Sequence, residues 1–141
     1  MNVENILQSK GSKVFTVNLN RKVNEIVEIL NANNIGVVVV LENEKIVGIV
    51  SERDIIRRLR DDGAAVLLTS IKDCMTKKPI TCTKENTIDE VMRIMTKIKA
   101  RHLPVVEGDK LIGLISIGDV VKRKIDLAEN EANALRDYIS G

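Results

Sequence analysis

Aromatic residues, histidine and cysteine are all scarce in this chain of 141 residues. Phe15 and Tyr138 are its aromatic residues and tryptophan is absent, which argues against a surface that stacks single-stranded bases on aromatic rings. The longest apolar runs, such as Val37–Leu41, fall far short of the ~18 residues that a membrane-spanning helix needs. The N-terminus carries no basic and apolar signal segment. We therefore expect a soluble cytoplasmic protein without a membrane partner.

Side chains suited to catalysis or metal binding are equally few. Cys74 and Cys82 lack C-x-x-C spacing, and His102 is the single histidine. A structural zinc site needs four such ligands, and nucleophilic catalysis needs a base positioned beside the nucleophile. We predict no metal site and no catalytic residue, and we expect both cysteines to be packed as reduced thiols. An enzyme acting on a nucleotide is the least favoured interpretation.

The charges nearly cancel, since 22 Lys and Arg residues are opposed by 20 Asp and Glu residues. This balance argues against nucleic acid as a partner. Basic residues such as Arg57, Arg58 and Lys122 are interpreted as solvated helix faces. With 44% hydrophobic residues, the chain has enough apolar side chains to bury a core.

The chain contains an internal duplication. Residues 45–58 align without a gap on residues 110–123, and the same offset aligns the segments that precede them. Each copy has the pattern of strand, helix, strand, strand, helix, because apolar residues at helical spacing are followed by two β-branched runs around a turn. We predict a mixed α/β fold in which two β-α-β-β-α units pack together around an approximate twofold axis.

The duplication sets the predicted boundaries along the chain. The first unit, with an N-terminal helix and a linker, is predicted over residues 1–68, and the second over 69–125. Short strands are expected at Phe15–Val17 and Ile80–Cys82, and helices at Ser51 and Ser116. Residues 126–141 form a C-terminal extension, helical over 126–139, whose apolar stripe must cover either this chain or a second copy.

Both units carry the sequence Gly-aliphatic-aliphatic-Ser-x-x-Asp, at Gly48, Ser51 and Asp54 and at Gly113, Ser116 and Asp119. Glycine lets a ligand approach a strand closely, and serine caps a helix whose free N–H groups favour phosphate. The aspartate is suited to accepting both hydroxyls of a ribose. However, Ser-x-x-Asp is also a capping box, which needs no ligand. The residues alone leave both interpretations open.

Together with the Arg101–Val106 segment, these features resemble a cystathionine β-synthase (CBS) domain pair, or Bateman module, over about residues 1–125. The resemblance implies a stand-alone regulatory protein whose two clefts bind AMP, ADP or ATP, with S-adenosylmethionine or NADH as further ligands and no required cofactor. It also implies a homodimer joined through helices near residues 55–59 and 120–125, with the C-terminal helix against the partner. The regulated protein is not identified by the sequence.

The resemblance assigns residues to two clefts. In the first, Ser51, Arg53 and Asp54 contact ribose and phosphate, Ile80 and Thr81 flank the base, and Arg101 and His102 reach the phosphate. In the second, Ser116 and Asp119 are joined by Phe15 and Thr16 at the base. His102 is expected to titrate near neutral pH beside a phosphate.

The two clefts differ in basic residues. The first unit has Gly36-Val37 where the second has Arg101-His102, and the second has Ile117-Gly118 where the first has Glu52-Arg53. We therefore expect the Asp54 cleft to be the tighter nucleotide site. The alternative is an interaction module whose sites have decayed and bind nothing.

Overall fold

The computed structural model describes all residues 1–141, and its elements follow the order that the duplication predicts. The first half contains α1 (Val3–Lys10), β1 (Thr16–Asn18), α2 (Val23–Asn33), β2 (Val37–Glu42), β3 (Lys45–Ser51) and α3 (Glu52–Asp62). Two short 3₁₀ segments, Gly63–Leu68 and Ile71–Asp73, then lead into the second half. That half contains β4 (Thr76–Lys77), α4 (Ile88–Ile98), β5 (His102–Glu107), β6 (Lys110–Ser116) and α5 (Ile117–Ser140).

Each unit is built around an antiparallel hairpin, β2 with β3 and β5 with β6. In the first hairpin, Asn43 and Glu44 have φ values of 50° and 67°, as a tight turn between twisted strands requires. β1 joins β2 in parallel and β4 joins the outer side of β3, which gives the order β1-β2-β3-β4. The strand predicted at Ile80–Cys82 is a single bridge from Cys82 to Val105, because only Cys82 there pairs its backbone with β5.

The segment that precedes each unit's first strand packs on the other unit. Val3 and Ile6 of α1 are buried in the core of the second unit, beside Ile115. Ile71 and Cys74, which follow α3, are buried in the core of the first unit. The packing therefore crosses the predicted boundary at residues 68 and 69 in both directions, and this exchange holds the two units together.

The N-caps of α3 and α5 are Ser51 and Ser116, within one residue of the predicted helix starts. Asp54 N donates to Ser51 Oγ at 3.2 Å, and Ser51 N donates to Asp54 Oδ2 at 2.9 Å. The corresponding distances between Ser116 and Asp119 are 3.2 and 2.8 Å. Both motifs are therefore capping boxes. The caps use one oxygen of each carboxylate, so they do not by themselves exclude a ligand.

The last helix, α5, runs for 24 residues without interruption, and so the helix predicted over 126–139 continues directly from the second unit. Val120 and Leu127 pack on the core of that unit, whereas every residue from 128 onwards is exposed. None of the helices is long and apolar enough to traverse a bilayer.

Candidate functional site

A groove of about 690 Å³ lies between the two units, at the N-terminus of α3. This volume lies within the range of roughly 300–1,000 Å³ that is typical of small-molecule sites. Three stretches of chain supply most of its lining: residues 51–57, residues 76–80 and residues 98–102. The first stretch belongs to the start of α3 in the first unit. The second leads into the second unit and the third joins α4 to β5 within it, so the groove lies where the two units meet.

The groove combines cationic and apolar surface. Its cationic side chains outnumber its anionic ones, with Arg53, Arg57, Lys78, Lys99 and Arg101 against Glu52 and Asp54. Four isoleucines also line it, and three of them are exposed: Ile56, Ile80 and Ile98, at 64%, 51% and 39%. A surface of this kind suits a ligand with an apolar ring system and an anionic tail.

Asp54 is the most deeply buried charged residue, with 8% of its surface exposed. Its Oδ2 accepts from Ser51 N at 2.9 Å and from Ser51 Oγ at 3.0 Å. Its Oδ1 has only a long contact from Thr76 Oγ1 at 3.4 Å and an ion pair with Arg57 Nη1 at 3.9 Å. A buried carboxylate oxygen is stabilised by strong hydrogen-bond partners. Since Asp54 Oδ1 has only these two long contacts, it can still accept hydrogen bonds from the hydroxyl groups of a bound molecule.

Two lysines in the groove have left-handed backbone conformations, Lys78 with φ of 49° and Lys99 with φ of 56°. Lys99 caps the C-terminus of α4, and the equivalent cap of α2 is Asn34, with φ of 52°. Asparagine tolerates this conformation well and lysine does not, so each lysine costs about 1 kcal/mol of strain. Backbone strain of this kind concentrates at functional sites.

His102 is half-buried at the start of β5 and lines the groove. Burial lowers the pKa of His102 below its ordinary 6.5, and the nearby Lys10 ammonium lowers it further. Asp119 and Glu52 oppose this shift without overcoming it. Because this pKa lies below 6.5, the His102 imidazole of the free protein is mainly neutral at pH 7.

The cleft of Asp119 is closed by α1. Lys10 Nζ lies 2.7 Å from Asp119 Oδ2 and 3.0 Å from the carbonyl oxygen of Leu114. Leu7 covers Gly113 so closely that a Cβ on this glycine would lie 2.7 Å from the leucine side chain. Although burial raises the pKa of Asp119, the hydrogen bonds from Lys10 and Ser116 hold that pKa below its usual value. The charge of this carboxylate is balanced within the chain.

The structure brings together most residues predicted for the first cleft and separates those predicted for the second. The groove is lined by Ser51, Arg53, Asp54, Ile80, Arg101 and His102, whereas Thr81 does not line it. Phe15, Ser116 and Asp119 line neither this groove nor the other large one. Thr16 lies in that other groove, which runs beside the two hairpin turns, and Phe15 packs on the core of the first unit.

Three basic groove residues, Arg57, Lys78 and Lys99, are not among the residues that the sequence predicts for the site. The sequence pattern predicts a solvated helix face for Arg57, but this residue lies one turn after Arg53 and lines the groove. Lys78 and Lys99 lie in connections, where helical periodicity gives no signal. The replacement of Asn34 by Lys99 between the two copies is the one sign that the sequence offers.

The two cysteines are free and buried, as predicted. Burial raises the pKa of the Cys82 thiol to about 12 and also raises the pKa of Cys74. Since the thiolate is the nucleophilic form, neither cysteine is activated at neutral pH.

The fold and the groove define a class of protein: a tandem α/β domain pair with a capped Ser-x-x-Asp helix facing a groove between its halves. The family model of the CBS domain matches residues 3–61 and 71–126. The chain belongs to the CBS domain family, which confirms the resemblance and the predicted fold class.

Individual relatives support the same assignment. The chain is 31% identical to the mitochondrial CBS domain-containing protein CBSX3 of Arabidopsis thaliana, over 99% of this chain and 72% of that protein. The CBS-domain protein ATU1752 of Agrobacterium tumefaciens aligns with a TM-score of 0.85 at 40% identity, over 88% of this chain and 99% of that one. The CBS domain pair of protein MJ0100, crystallised in complex with 5′-methylthioadenosine and S-adenosyl-L-methionine, aligns with a TM-score of 0.77 at 25% identity, over 86% and 94% of the two chains.

Proposed function

We propose that this protein is a regulatory CBS pair that binds an adenosine nucleotide of the AMP, ADP or ATP class in the groove of Asp54. The observation that carries the proposal is a buried carboxylate with one under-used oxygen, set in a groove with an excess of cationic side chains. The complex of the related MJ0100 pair with adenosine-containing ligands supports the same ligand class.

The groove residues have distinct roles in this proposal. Asp54 accepts the ribose hydroxyls through Oδ1, while its Oδ2 continues to cap α3. The base lies against the exposed Ile80, and the phosphates lie near Arg101 and His102. The cationic excess favours polyphosphates over S-adenosylmethionine, whose sulfonium group is itself positive. NADH also contains adenosine and a diphosphate, so it is a second ligand to test.

The module acts in trans, on a regulated protein that the sequence does not identify. We propose a homodimer joined through α3 and the first turns of α5, because both helices expose apolar side chains that the chain does not cover. These are Ile56, Leu59, Val121 and Ile125, with exposed fractions of 64%, 36%, 43% and 51%. A nucleotide that binds one arrangement of the dimer better than another would shift the population towards it, and a regulated protein would sense the change.

Thermal unfolding with AMP, ADP, ATP, NADH and S-adenosylmethionine tests this function. A ligand that binds only the folded state at about 100 times its Kd stabilises that state by about 2.7 kcal/mol, so at least one nucleotide should raise the Tm. Inorganic triphosphate is the control for simple anion binding. No shift with any adenosine ligand would instead support a module with decayed sites, and turnover of the nucleotide would support an enzyme.

A further inference from the structure

The exposed stripe of α5 has a spacing that the rest of the fold does not explain. The spacing between its apolar residues alternates between four and three positions. These residues are Val121, Ile125, Ala128, Ala132, Leu135 and Ile139. All six are exposed, and the exposed fractions of Leu135 and Ile139 are 61% and 75%. The stripe is separate from Val120 and Leu127, which pack on the second unit. The helix therefore has one face for its own chain and a second face without a partner.

A strict alternation of three and four residues is the heptad pattern of a coiled coil, in which apolar side chains occupy the a and d positions. In this register Ile125, Ala132 and Ile139 are at a, and Val121, Ala128 and Leu135 are at d. An isolated helical segment of this length is marginal in water, so a helix that projects beyond the body of the protein needs a partner.

We propose that α5 pairs in parallel with α5 of a second copy, as a short two-stranded coiled coil over residues 121–139. This inference deepens the homodimer of the proposed function and extends its interface, since Val121 and Ile125 belong to both. It does not depend on nucleotide binding.

The charges beside the stripe select the parallel orientation. In a parallel pair, each g residue faces the e residue five positions later on the other helix. Lys124 then faces Glu129 of the partner subunit, and Glu131 faces Arg136 of the partner subunit. Both contacts are attractive, and the twofold axis repeats each of them.

An antiparallel pair with its apolar residues in register would bring like charges together. Glu129 would face its own copy, Glu131 would face its own copy, and Lys122 would face Arg136 of the partner subunit. Like charges at such positions disfavour an alternative pairing. Within its own chain Lys124 already pairs with Asp89 at 2.6 Å, whereas Glu131 and Arg136 form no ion pair there. Glu131 and Arg136 are therefore the clean test of orientation.

Sedimentation equilibrium of the full chain tests the pairing. Arg136→Glu should weaken the dimer about tenfold, because attractive contacts become repulsive twice, and Glu131→Arg combined with Arg136→Glu should restore the wild-type affinity. The two residues are five apart, so neither variant makes or breaks an i,i+4 pair within the helix. Asp137→Lys reverses a charge at an outer f position and has no charged residue three or four positions away, so it is the matched control and should leave the affinity unchanged.

Disulfide formation tests the orientation independently. In a parallel pair Ala132→Cys brings two a positions together, and mild oxidation should link two copies, while Cys74 and Cys82 stay buried. Linkage that is faster between a copy with Ala128→Cys and one with Ala132→Cys would show an antiparallel pair and overturn the proposal. A dimer that is insensitive to Arg136→Glu would overturn the coiled coil but leave the homodimer. A monomer would overturn both, and the thermal shift with nucleotides would still decide the binding function.

Discussion

The two clefts of this protein carry the same motif but hold its carboxylate differently, since Arg57 Nη1 lies 3.9 Å from Asp54 and Lys10 Nζ lies 2.7 Å from Asp119. At Asp54 the neighbouring segment supplies the hydroxyl of Thr76 at 3.4 Å, whereas at Asp119 it supplies the ammonium of Lys10 at 2.7 Å. Both residues lie outside the motif, in the part of the chain that leads into a unit. The same motif in two copies therefore has different surroundings, because the chain segment that packs beside it differs between the copies.

The basic residues add to this difference. Arg101 and His102 belong to the groove of Asp54, and the residues aligned with them in the first unit are Gly36 and Val37. The Asp54 cleft thus has an acceptor with only long contacts and an Arg101 side chain that forms no ion pair, whereas the Asp119 cleft has an acceptor and a cation that neutralise each other.

Among the basic residues of the Asp54 groove, Arg101 should have the largest effect on nucleotide binding. Arg101→Ala should weaken ATP binding about tenfold, because charge-assisted hydrogen bonds to phosphate are lost, and should leave adenosine binding nearly unchanged. Titration calorimetry with both ligands measures the difference. Arg93→Ala, on the exposed side of α4 and outside the groove, is the control. An equal loss for ATP and adenosine would show that Arg101 does not contact phosphate.

Removing Lys10 should make the two clefts more alike. Lys10→Ala frees Asp119, so a second and weaker binding event should appear in a titration with ATP. The same change should lower the free energy of unfolding by about 1 kcal/mol, since a partly buried ion pair is lost. Gln8→Ala, on the exposed side of the same helix, should change neither quantity. A stoichiometry that stays the same in Lys10→Ala would argue against closure of the cleft by this lysine.

The strained lysine should show a trade between stability and binding. Lys99→Asn should raise the free energy of unfolding by about 0.5–1 kcal/mol, because asparagine accepts the left-handed conformation, and should weaken ATP binding about threefold. The matched control is Asn34→Lys at the equivalent cap of the first unit, which should lower stability and leave affinity unchanged. Urea unfolding and calorimetry measure the two effects. Unchanged binding in Lys99→Asn would remove this lysine from the site.

The smallest effect should be the pH dependence that His102 confers. Its pKa in the folded state lies below the 6.5 of the unfolded chain, so the stability it contributes is complete above pH 6.5. That stability is lost as the pH falls below 6.5 and through the folded pKa, because the unfolded chain binds the proton more readily. Urea unfolding between about pH 7.5 and pH 5.5 should show this loss in the wild type and less of it in His102→Gln. Identical profiles would contradict the environment described for His102.

Much of the fold could be predicted from the sequence because its signals are local or repeated. Two copies of the same periodicity gave the strands and helices, and the caps at Ser51 and Ser116 followed from the residues that make them. The predicted strand at Ile80–Cys82 failed because edge pairing depends on the neighbouring strand rather than on β-branched residues alone.

The surroundings of the two aspartates were less predictable than the fold, since they depend on packing between distant parts of the chain. Nothing in the local sequence of α1 indicates that Lys10 will reach Asp119, which is 109 residues further along the chain. Similarly, Thr81 is adjacent to Ile80 in sequence but lies outside the groove, because alternate residues of an extended segment point to opposite sides.

Titration calorimetry of ATP with the wild type, Asp54→Asn and Asp119→Asn distinguishes one nucleotide site from two. We expect one nucleotide per chain, at least a tenfold loss of affinity in Asp54→Asn and no change in Asp119→Asn. Two equivalent sites in the wild type, or equal losses in the two variants, would contradict this expectation.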